Sequence, residues 1–186
     1  MSSAEIALMQ CLMESAESYF EFGMGGSTCL AAKTVRREIY AIDSDSDWIS
    51  KVKTEIGEAS SKQIHLRHIN IGPTREWGMP ETPAKGNEGI FDAYSRAIIE
   101  PKLPAFDLVL VDGRFRVACF LQALQSQRAD TILAIHDYTD RPHYHVVEEF
   151  ARPVSVCEQL AVFVRRPDID NAALEIALNR YRRTPA

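Results

Sequence analysis

Acidic and histidine side chains follow the predicted strands of this sequence, each at the point where a strand ends. Glu21, Asp43 and Asp112 stand at three of these ends, and His136-Asp137 stands at a fourth. In an open parallel sheet, ligands bind outside the carboxyl ends of the strands. Carboxylates there can accept hydrogen bonds from ligand hydroxyls, and a carboxylate or an imidazole can remove a proton from a bound group. The sequence therefore predicts a polar ligand site at this edge of the sheet.

A turn rich in glycine follows the first predicted strand, and the rest of the chain is organised around it. Residues 18–28 read S-Y-F-E-F-G-M-G-G-S-T, a short strand that runs into three glycines and then opens a helix. Glycines allow a tight turn and a close approach to a ligand, and the first free N–H groups of the helix point into the turn. Glu21 would repel a phosphate, so a ligand with both an ammonium and a carboxylate group fits better than a pyrophosphate. The alternative is a turn that binds nothing.

Asp43 ends the next predicted strand, twenty residues after Gly23. At this spacing an acidic side chain reaches a ribose in dinucleotide-binding folds, and a carboxylate can accept hydrogen bonds from both ribose hydroxyls. The alternative is that Asp43 caps the helix that begins near Ser46, a role that Asp45 or Asp47 could fill equally well. The sequence favours ribose binding by Asp43.

The hydrophobic pattern predicts strands that alternate with helices and end in a hairpin. The predicted helices cover 3–16, 46–56, 90–99, 117–127, 146–151 and 168–181, and the predicted strands cover 18–22, 37–43, 63–70, 106–113, 131–135, 154–157 and 160–164. Strands joined through helices form a parallel sheet, whereas the two-residue turn Glu158-Gln159 makes the last two strands antiparallel. The length of 186 residues favours one domain, residues 1–186, with a helix in the N-terminal segment 1–17.

The glycine turn and the order of the elements resemble the class I S-adenosylmethionine-dependent methyltransferases. E-F-G-M-G-G-S-T resembles their first motif in its Gly-Gly-Ser-Thr variant, and the likeness in element order extends over about residues 17–165. The resemblance implies an α/β, Rossmann-like fold with a mostly parallel seven-stranded sheet in the order 3-2-1-4-5-7-6, the last strand antiparallel, and helices on both faces. It also implies that S-adenosylmethionine is the cofactor.

The resemblance assigns cofactor-binding roles to residues of this chain. The amino-acid end would lie at the glycine turn, the ribose at the end of the second strand, and the adenine near the third. This sequence departs from the family pattern after the third strand. It has no acid there to contact the adenine, and the side-chain amide of Asn70 would have to take that role. The implied cofactor-binding residues are Glu21, Gly23, Gly25, Gly26, Ser27, Asp43, Asn70 and Asp112.

Three residues are candidates for the chemical step that the resemblance implies. Methyl transfer from a sulfonium is an in-line displacement, so positioning does most of the work, but a hydroxyl or protonated amine acceptor must still lose a proton. Asp112 and His136 are the candidate bases, and Asp137 could orient the histidine or bind a cation. The alternative for His136 is a turn residue that satisfies backbone groups of its own loop.

A metal ion is a further option that the resemblance raises. Some class I O-methyltransferases hold magnesium with an Asp after strand four and an acidic pair or Asp-Asn after strand five. Asp112 and Asp137 match two of those positions, but His136 stands where the first acid of the pair is expected. Oxygen ligands suit magnesium, and an imidazole suits a softer ion. A divalent metal is therefore allowed but not favoured, and no residue is assigned as a metal ligand.

Two features of the sequence count against some classes of methyl acceptor, although they do not identify the acceptor itself. The Asn/Asp-Pro-Pro-aromatic signature of methyltransferases that act on DNA bases or protein glutamine is absent, and Asp112-Gly113-Arg114 stands in its place. The formal net charge of −5 provides no general basic field for nucleic acid. A small-molecule or glycan acceptor is expected, with no nucleic-acid partner.

The segments expected to select the acceptor are loops and the N-terminal helix, or a second subunit in a homodimer. Residues 71–89 contain four glycines and three prolines without a hydrophobic period, and Trp77 in that segment favours a lid over the site. The alternative is a passive surface loop. The 138–145 loop is the second segment expected to contact substrate.

Bulk properties predict a soluble, cytoplasmic protein with no membrane partner. The chain has no apolar run near the ~20 residues of a membrane span and no signal-peptide pattern at its start. Its four cysteines form no C-x-x-C pair, so neither a zinc ribbon nor a redox motif is expected. Two other functions remain open on the sequence: an NAD-dependent oxidoreductase with a Rossmann fold, and a non-catalytic protein that retains the methyltransferase fold.

Overall fold

Seven strands form one mixed sheet in the computed structural model, which describes residues 1–57, 62–75, 78–81, 88–101 and 103–185. The strands are β1 (Ser18–Phe22), β2 (Glu38–Asp43), β3 (Gln63–His68), β4 (Leu108–Val111), β5 (Ile132–Ile135), β6 (Ala151–Cys157) and β7 (Leu160–Arg165). Their order in the sheet is β3-β2-β1-β4-β5-β7-β6. β7 is antiparallel to β5 and to β6, and the other neighbouring strands are parallel. The predicted fold class and strand order are confirmed.

Helices cover both faces of this sheet. They are α1 (Ser3–Ser15), α2 (Gly26–Thr34), α3 (Ser46–Ile56), α4 (Asp92–Arg96), α5 (Arg116–Ser126) and α6 (Asn171–Tyr181). Their N-termini follow ordinary capping rules in three cases, where Ser2, Asp45 and Asp170 accept hydrogen bonds from the first free N–H groups. None of the helices in the described ranges combines the length and apolar character that a membrane span needs.

The core consists mainly of two clusters, one on each face of the sheet. Side chains alternate between the faces along β4, so Val109 and Val111 pack with α5 and α6 while Leu108 and Leu110 pack with α1 and α2. All four side chains are buried, which is why this strand reads as a continuous apolar run. The double packing fixes the carboxyl end of β4 relative to its neighbours.

Two predicted helices are less regular than the sequence suggested. The segment 90–99 is a 3-10 turn (Glu88–Phe91), the short α4 and a second 3-10 turn (Ala97–Ile99). The predicted helix 146–151 is instead a 3-10 stretch, Pro142–Glu149, that begins at a proline, and β6 starts already at Ala151. Short runs with i to i+3 hydrogen bonds are common as connectors, and hydrophobic spacing does not distinguish them from an α-helix.

The loop predicted as a lid is described only in part. Thr74 and Pro80 form an isolated antiparallel bridge, and Gly78 approaches Ser44 closely enough that a Cβ on it would lie 3.3 Å from the serine hydroxyl oxygen. Residues 76–77 and 82–87, which include Trp77, lie outside the described residues. The lid stays a prediction.

Gly23 is required where β1 and β4 end, because two backbones meet there. Gly23 has a φ of +92°, and a Cβ on it would lie 2.4 Å from the Cα of Gly113. Gly113 is confined in turn, since a Cβ on it would lie 2.2 Å from the hydroxyl oxygen of Tyr94. The first glycine of the turn therefore serves the contact between strands, whatever the turn binds.

We expect Gly23→Ala to lower the free energy of unfolding by more than about 1 kcal/mol, since the new methyl group meets backbone that cannot yield. Gly26→Ala is the matched control, because a Cβ at Gly26 meets no atom within 4 Å. It should stay within about 0.5 kcal/mol of wild type in chemical denaturation. Equal stability of the two variants would contradict this account of Gly23.

Candidate active site

A cavity of about 630 Å³ opens at the carboxyl ends of β1, β2, β4 and β5. The strand order reverses between β1 and β4, which is the switch point where open α/β sheets bind ligands. The volume of this cavity is in the range of small-molecule binding sites. The cavity brings together five residues that the sequence predicted as functional: Gly23, Asp43, Asp112, His136 and Asp137.

Asp43 is partly buried in the wall of this cavity, and the backbone fixes its orientation. Its carboxylate accepts hydrogen bonds from the N–H groups of Met24 (2.9 Å) and Asp45 (3.0 Å). Burial raises the pKa of Asp43, and these amide donors oppose the rise. The cap of α3 is Asp45, whose carboxylate accepts from the N–H groups of Asp47 and Trp48. Asp43 is therefore not the helix cap.

The second half of the glycine turn lines a smaller cavity of about 400 Å³ beside α1. Gly25, Gly26 and Ser27 form part of its wall, and Asp112 lines both cavities. Among the described residues, a Cβ on Gly25 or Gly26 would meet no atom within 4 Å beyond the chain next to it, so packing does not require these two glycines as it requires Gly23. They leave the N-terminus of α2 open to an anionic group such as a carboxylate.

Arg116 is the cation that joins β4 to β5 at the cavity. Its side chain is 4% exposed, and its Nη2 lies 3.2 Å from the Asp112 carboxylate and 3.0 Å from the Asp137 carboxylate. The same guanidinium donates to the backbone carbonyls of Gly113 (2.9 Å), Asp112 (3.2 Å) and His136. One buried side chain thus fixes the backbone and the acids at both strand ends.

His136 lies between carboxylates on both sides of its ring. Nδ1 is 3.2 Å from Asp112 Oδ1 and 3.4 Å from Asp137 Oδ1, and Nε2 is 3.3 Å from Glu5 Oε2. Burial alone would lower the pKa of His136, but the surrounding carboxylates outweigh it and raise the pKa above its usual value. A ring that is protonated on both nitrogens has no lone pair with which to accept a proton.

Comparison with solved structures identifies the family. The chain aligns over its full length with a methyltransferase-like protein from Silicibacter pomeroyi DSS-3, at 31% identity, 96% coverage of that chain and a TM-score of 0.87. This chain belongs to the class I S-adenosylmethionine-dependent methyltransferases. No protein-family profile and no curated protein matches it.

More distant structures share the methyltransferase fold. An O-methyltransferase from Bacillus cereus in complex with S-adenosylhomocysteine has a TM-score of 0.61 at 14% identity, over 89% of this chain and 82% of that one. The N-methyltransferase NodS from Bradyrhizobium japonicum WM9 has a TM-score of 0.53 at 13% identity, over 87% and 92%. At such identities the likeness extends to the fold alone.

The acids at the ends of β4 and β5 are already paired with cationic side chains of the protein. Asp112, His136 and Asp137 offer ligand atoms within 4.8 Å of one another. The position between the two aspartates is already taken by a guanidinium of Arg116, and Asp137 accepts a further hydrogen bond from Arg141 at 2.9 Å. With His136 protonated, three cations balance three carboxylates, counting that of Glu5. A metal ion would have to displace this network.

Glu21, in the first motif, is hydrogen-bonded to residues at the start of α2 and so stabilises the glycine turn. Its side chain is 0% exposed, and it accepts hydrogen bonds from the hydroxyls of Ser27 and Thr28, the latter at 2.7 Å. The Thr28 hydroxyl oxygen in turn accepts from the N–H of Gly25 at 2.9 Å. Burial raises the pKa of Glu21 to about 8, although both hydroxyls lower it. Because the side chain is fully buried, direct contact with a cofactor ammonium would require the residues that cover Glu21 to move.

Asn70 is a predicted site residue that the structure places away from both of these cavities. It is exposed, its side-chain oxygen accepts from the N–H of Gly72 at 2.9 Å, and it lines a separate groove beside α4. A cavity of about 680 Å³ at the β3 edge likewise contains none of the predicted site residues among its described lining.

Two residues of the site were missed by reasoning from the sequence. Glu5 was recognisable as part of a capping box with Ser2, and that pattern is present, but its contact with His136 spans 131 positions and has no local signal. Arg116 is an arginine at the first position of an apolar helix, α5, which is an unusual place for a charge. That unusual position was the signal available from the sequence, and the structure shows that the arginine is buried there.

Glu21→Gln tests the buried carboxyl. The unfolded chain releases this proton near its ordinary pKa of 4.5, whereas the folded protein keeps it until about pH 8. The stability of the wild type relative to Glu21→Gln should therefore be greatest below about pH 4.5 and fall as the pH rises to about 8. Denaturant unfolding at several pH values measures the difference, and a difference that is independent of pH would contradict the assignment.

Glu5→Gln tests the electrostatic environment of His136. We expect the wild-type ring to titrate above 6.5 in NMR and the Glu5→Gln ring to titrate at a lower pH, because one of its carboxylates is lost. Glu14→Gln, at an exposed position of the same helix, is the control and should leave the titration unchanged. A wild-type ring that titrates at or below 6.5 would show that burial outweighs the carboxylates.

Proposed function

We propose that this protein transfers a methyl group from S-adenosylmethionine to a small-molecule or glycan acceptor bound in the 630 Å³ cavity. One observation carries the proposal: the start of the glycine turn, Asp43 and the acids at β4 and β5 all line this one cavity. A cofactor that spans β1 and β2 there would present its reactive end toward the β4 side. The full-length likeness to a methyltransferase-like protein supports the same activity.

The residues present fit S-adenosylmethionine. Asp43 has its carboxylate held at the cavity wall and would accept hydrogen bonds from the ribose hydroxyls. Gly25 and Gly26 leave open backbone at the N-terminus of α2, where the amino-acid carboxylate would lie. The hydrogen bond from the Ser27 hydroxyl to the Glu21 carboxylate stabilises the turn. Asn70 lies in a different groove, so we assign it no contact with the adenine in this conformation.

Asp112 is the residue that we propose to take the acceptor's proton. When bound, S-adenosylmethionine supplies an electrophilic methyl group on a sulfonium. Asp112 lines both cavities, and its side chain is 25% exposed, so it can reach an acceptor hydroxyl or amine. Arg116 and the ring of His136 hold this carboxylate in place, and Asp137 contacts both of them. His136 and Asp137 are therefore positioning residues in this proposal.

The cofactor assignment is tested by calorimetric titration with S-adenosylhomocysteine. Hydrogen bonds to a charged group contribute about 1.5–3 kcal/mol, so Asp43→Asn should weaken binding by about tenfold or more. Asp47→Asn is the matched control, because Asp47 is an exposed acid of α3 outside the cavity lining. It should bind as the wild type does.

Three results separate this proposal from its alternatives. Binding of NAD in place of S-adenosylhomocysteine would favour an oxidoreductase. Binding of S-adenosylhomocysteine without methyl transfer to any of a broad set of acceptors would favour a non-catalytic protein. Equal affinities for Asp43→Asn and wild type would contradict the role of Asp43 while leaving the cofactor itself in place.

A further inference from the structure

Three arginines line the acceptor side of the 630 Å³ cavity, and two of them are neutralised. They are Arg114, Arg116 and Arg141. Arg116 forms ion pairs with Asp112 and Asp137, and Arg141 forms one with Asp137 at 2.9 Å. The carboxylates of Asp112 and Asp137 therefore already have arginine partners.

Arg114 differs from the other two. Its side chain is partly buried in the cavity wall, and within the described part of the chain its guanidinium has no hydrogen bond and no ion pair. Burial lowers the pKa of Arg114, and the neighbouring charges of Arg116 and Arg141 lower it further. A partly buried guanidinium that has no carboxylate partner of its own is less favourable than one that pairs with an anion.

The cofactor does not account for this charge. The carboxylate of a cofactor amino-acid end would lie at Gly25 and Gly26, which line the smaller cavity, whereas Arg114 lines only the larger one. Arg114 follows β4 two residues after Asp112, on the side where the acceptor would lie. The wall of the same cavity also includes Trp48 and Tyr94, which suit an organic body attached to the anion.

We propose that Arg114 binds an anionic group of the methyl acceptor, so that the acceptor is an organic acid with a carboxylate or a phosphate ester. A guanidinium recognises either group through paired N–H donors. This inference rests on the proposed function for the position of the cofactor. Among small-molecule and glycan acceptors, a site of this kind selects those that carry an acidic group.

Three probes of similar shape test the anion site on protein saturated with S-adenosylhomocysteine. Benzoate and phenyl phosphate carry the two candidate anions, and benzamide is the neutral analogue. We expect the wild type to bind at least one of the anions about tenfold or more tightly than benzamide, by NMR titration. The preferred anion identifies the acidic group. Equal binding of all three, or no binding of either anion, would overturn the proposal.

Variants assign that preference to one side chain. Arg114→Gln should abolish the preference for the anion, and Arg114→Lys should retain part of it. Arg37→Gln is the control, because Arg37 is exposed at the opposite, amino end of the sheet, and it should keep the full preference. A preference that survives in Arg114→Gln would overturn the role of Arg114.

The same variant separates this inference from the proposed function. Arg114→Gln should bind S-adenosylhomocysteine within about twofold of wild type. A tenfold loss would place Arg114 on the cofactor and overturn the inference, leaving the methyltransferase assignment in place. If the wild type does not bind S-adenosylhomocysteine, the proposed function fails, and the probe titrations on the ligand-free protein still decide whether Arg114 is an anion site.

Discussion

The buried guanidinium of Arg116 holds the carboxyl ends of β4 and β5 in one arrangement. It pairs with the acids that follow both strands and donates to the backbone carbonyls between them. Replacing a partner of such a buried pair leaves an uncompensated charge, so each member depends on the others. Through His136 the same network reaches Glu5, and so it attaches α1 to the sheet edge where the cavity opens.

This network has a consequence for the chemistry at the strand ends. A histidine beside an aspartate suggests a general base, but here carboxylates face both ring nitrogens and favour the protonated ring. The ring contacts Asp112 and, together with Arg116, orients its carboxylate. Arg116 and Arg141 pair with the acids at the two strand ends, whereas the guanidinium of Arg114 pairs with no group in the described part of the chain.

Much of the fold could be predicted because its signals are local. The buried strand β4, the glycine turn and the two-residue turn before β7 each show in a few consecutive residues. The succession of these elements resembles the class I methyltransferases, and that resemblance implied the strand order that the structure has. The site was predicted less completely, because its partners are distant in the chain. The sequence does not show which of Asp43 and Asp45 caps α3, and only the hydrogen bonds in the structure distinguish their roles. Likewise, Gly23 serves a contact with Gly113 that no spacing rule indicates.

The central claim is that the cavity at the switch point holds S-adenosylmethionine with its reactive end toward Asp112. A crystal structure of the complex with S-adenosylhomocysteine tests it most directly. We predict the ribose hydroxyls within hydrogen-bond distance of Asp43, the amino-acid carboxylate at Gly25 and Gly26, and the sulfur facing the side of the cavity lined by Asp112. A ligand bound elsewhere, or bound here with its sulfur directed away from Asp112, would contradict the account.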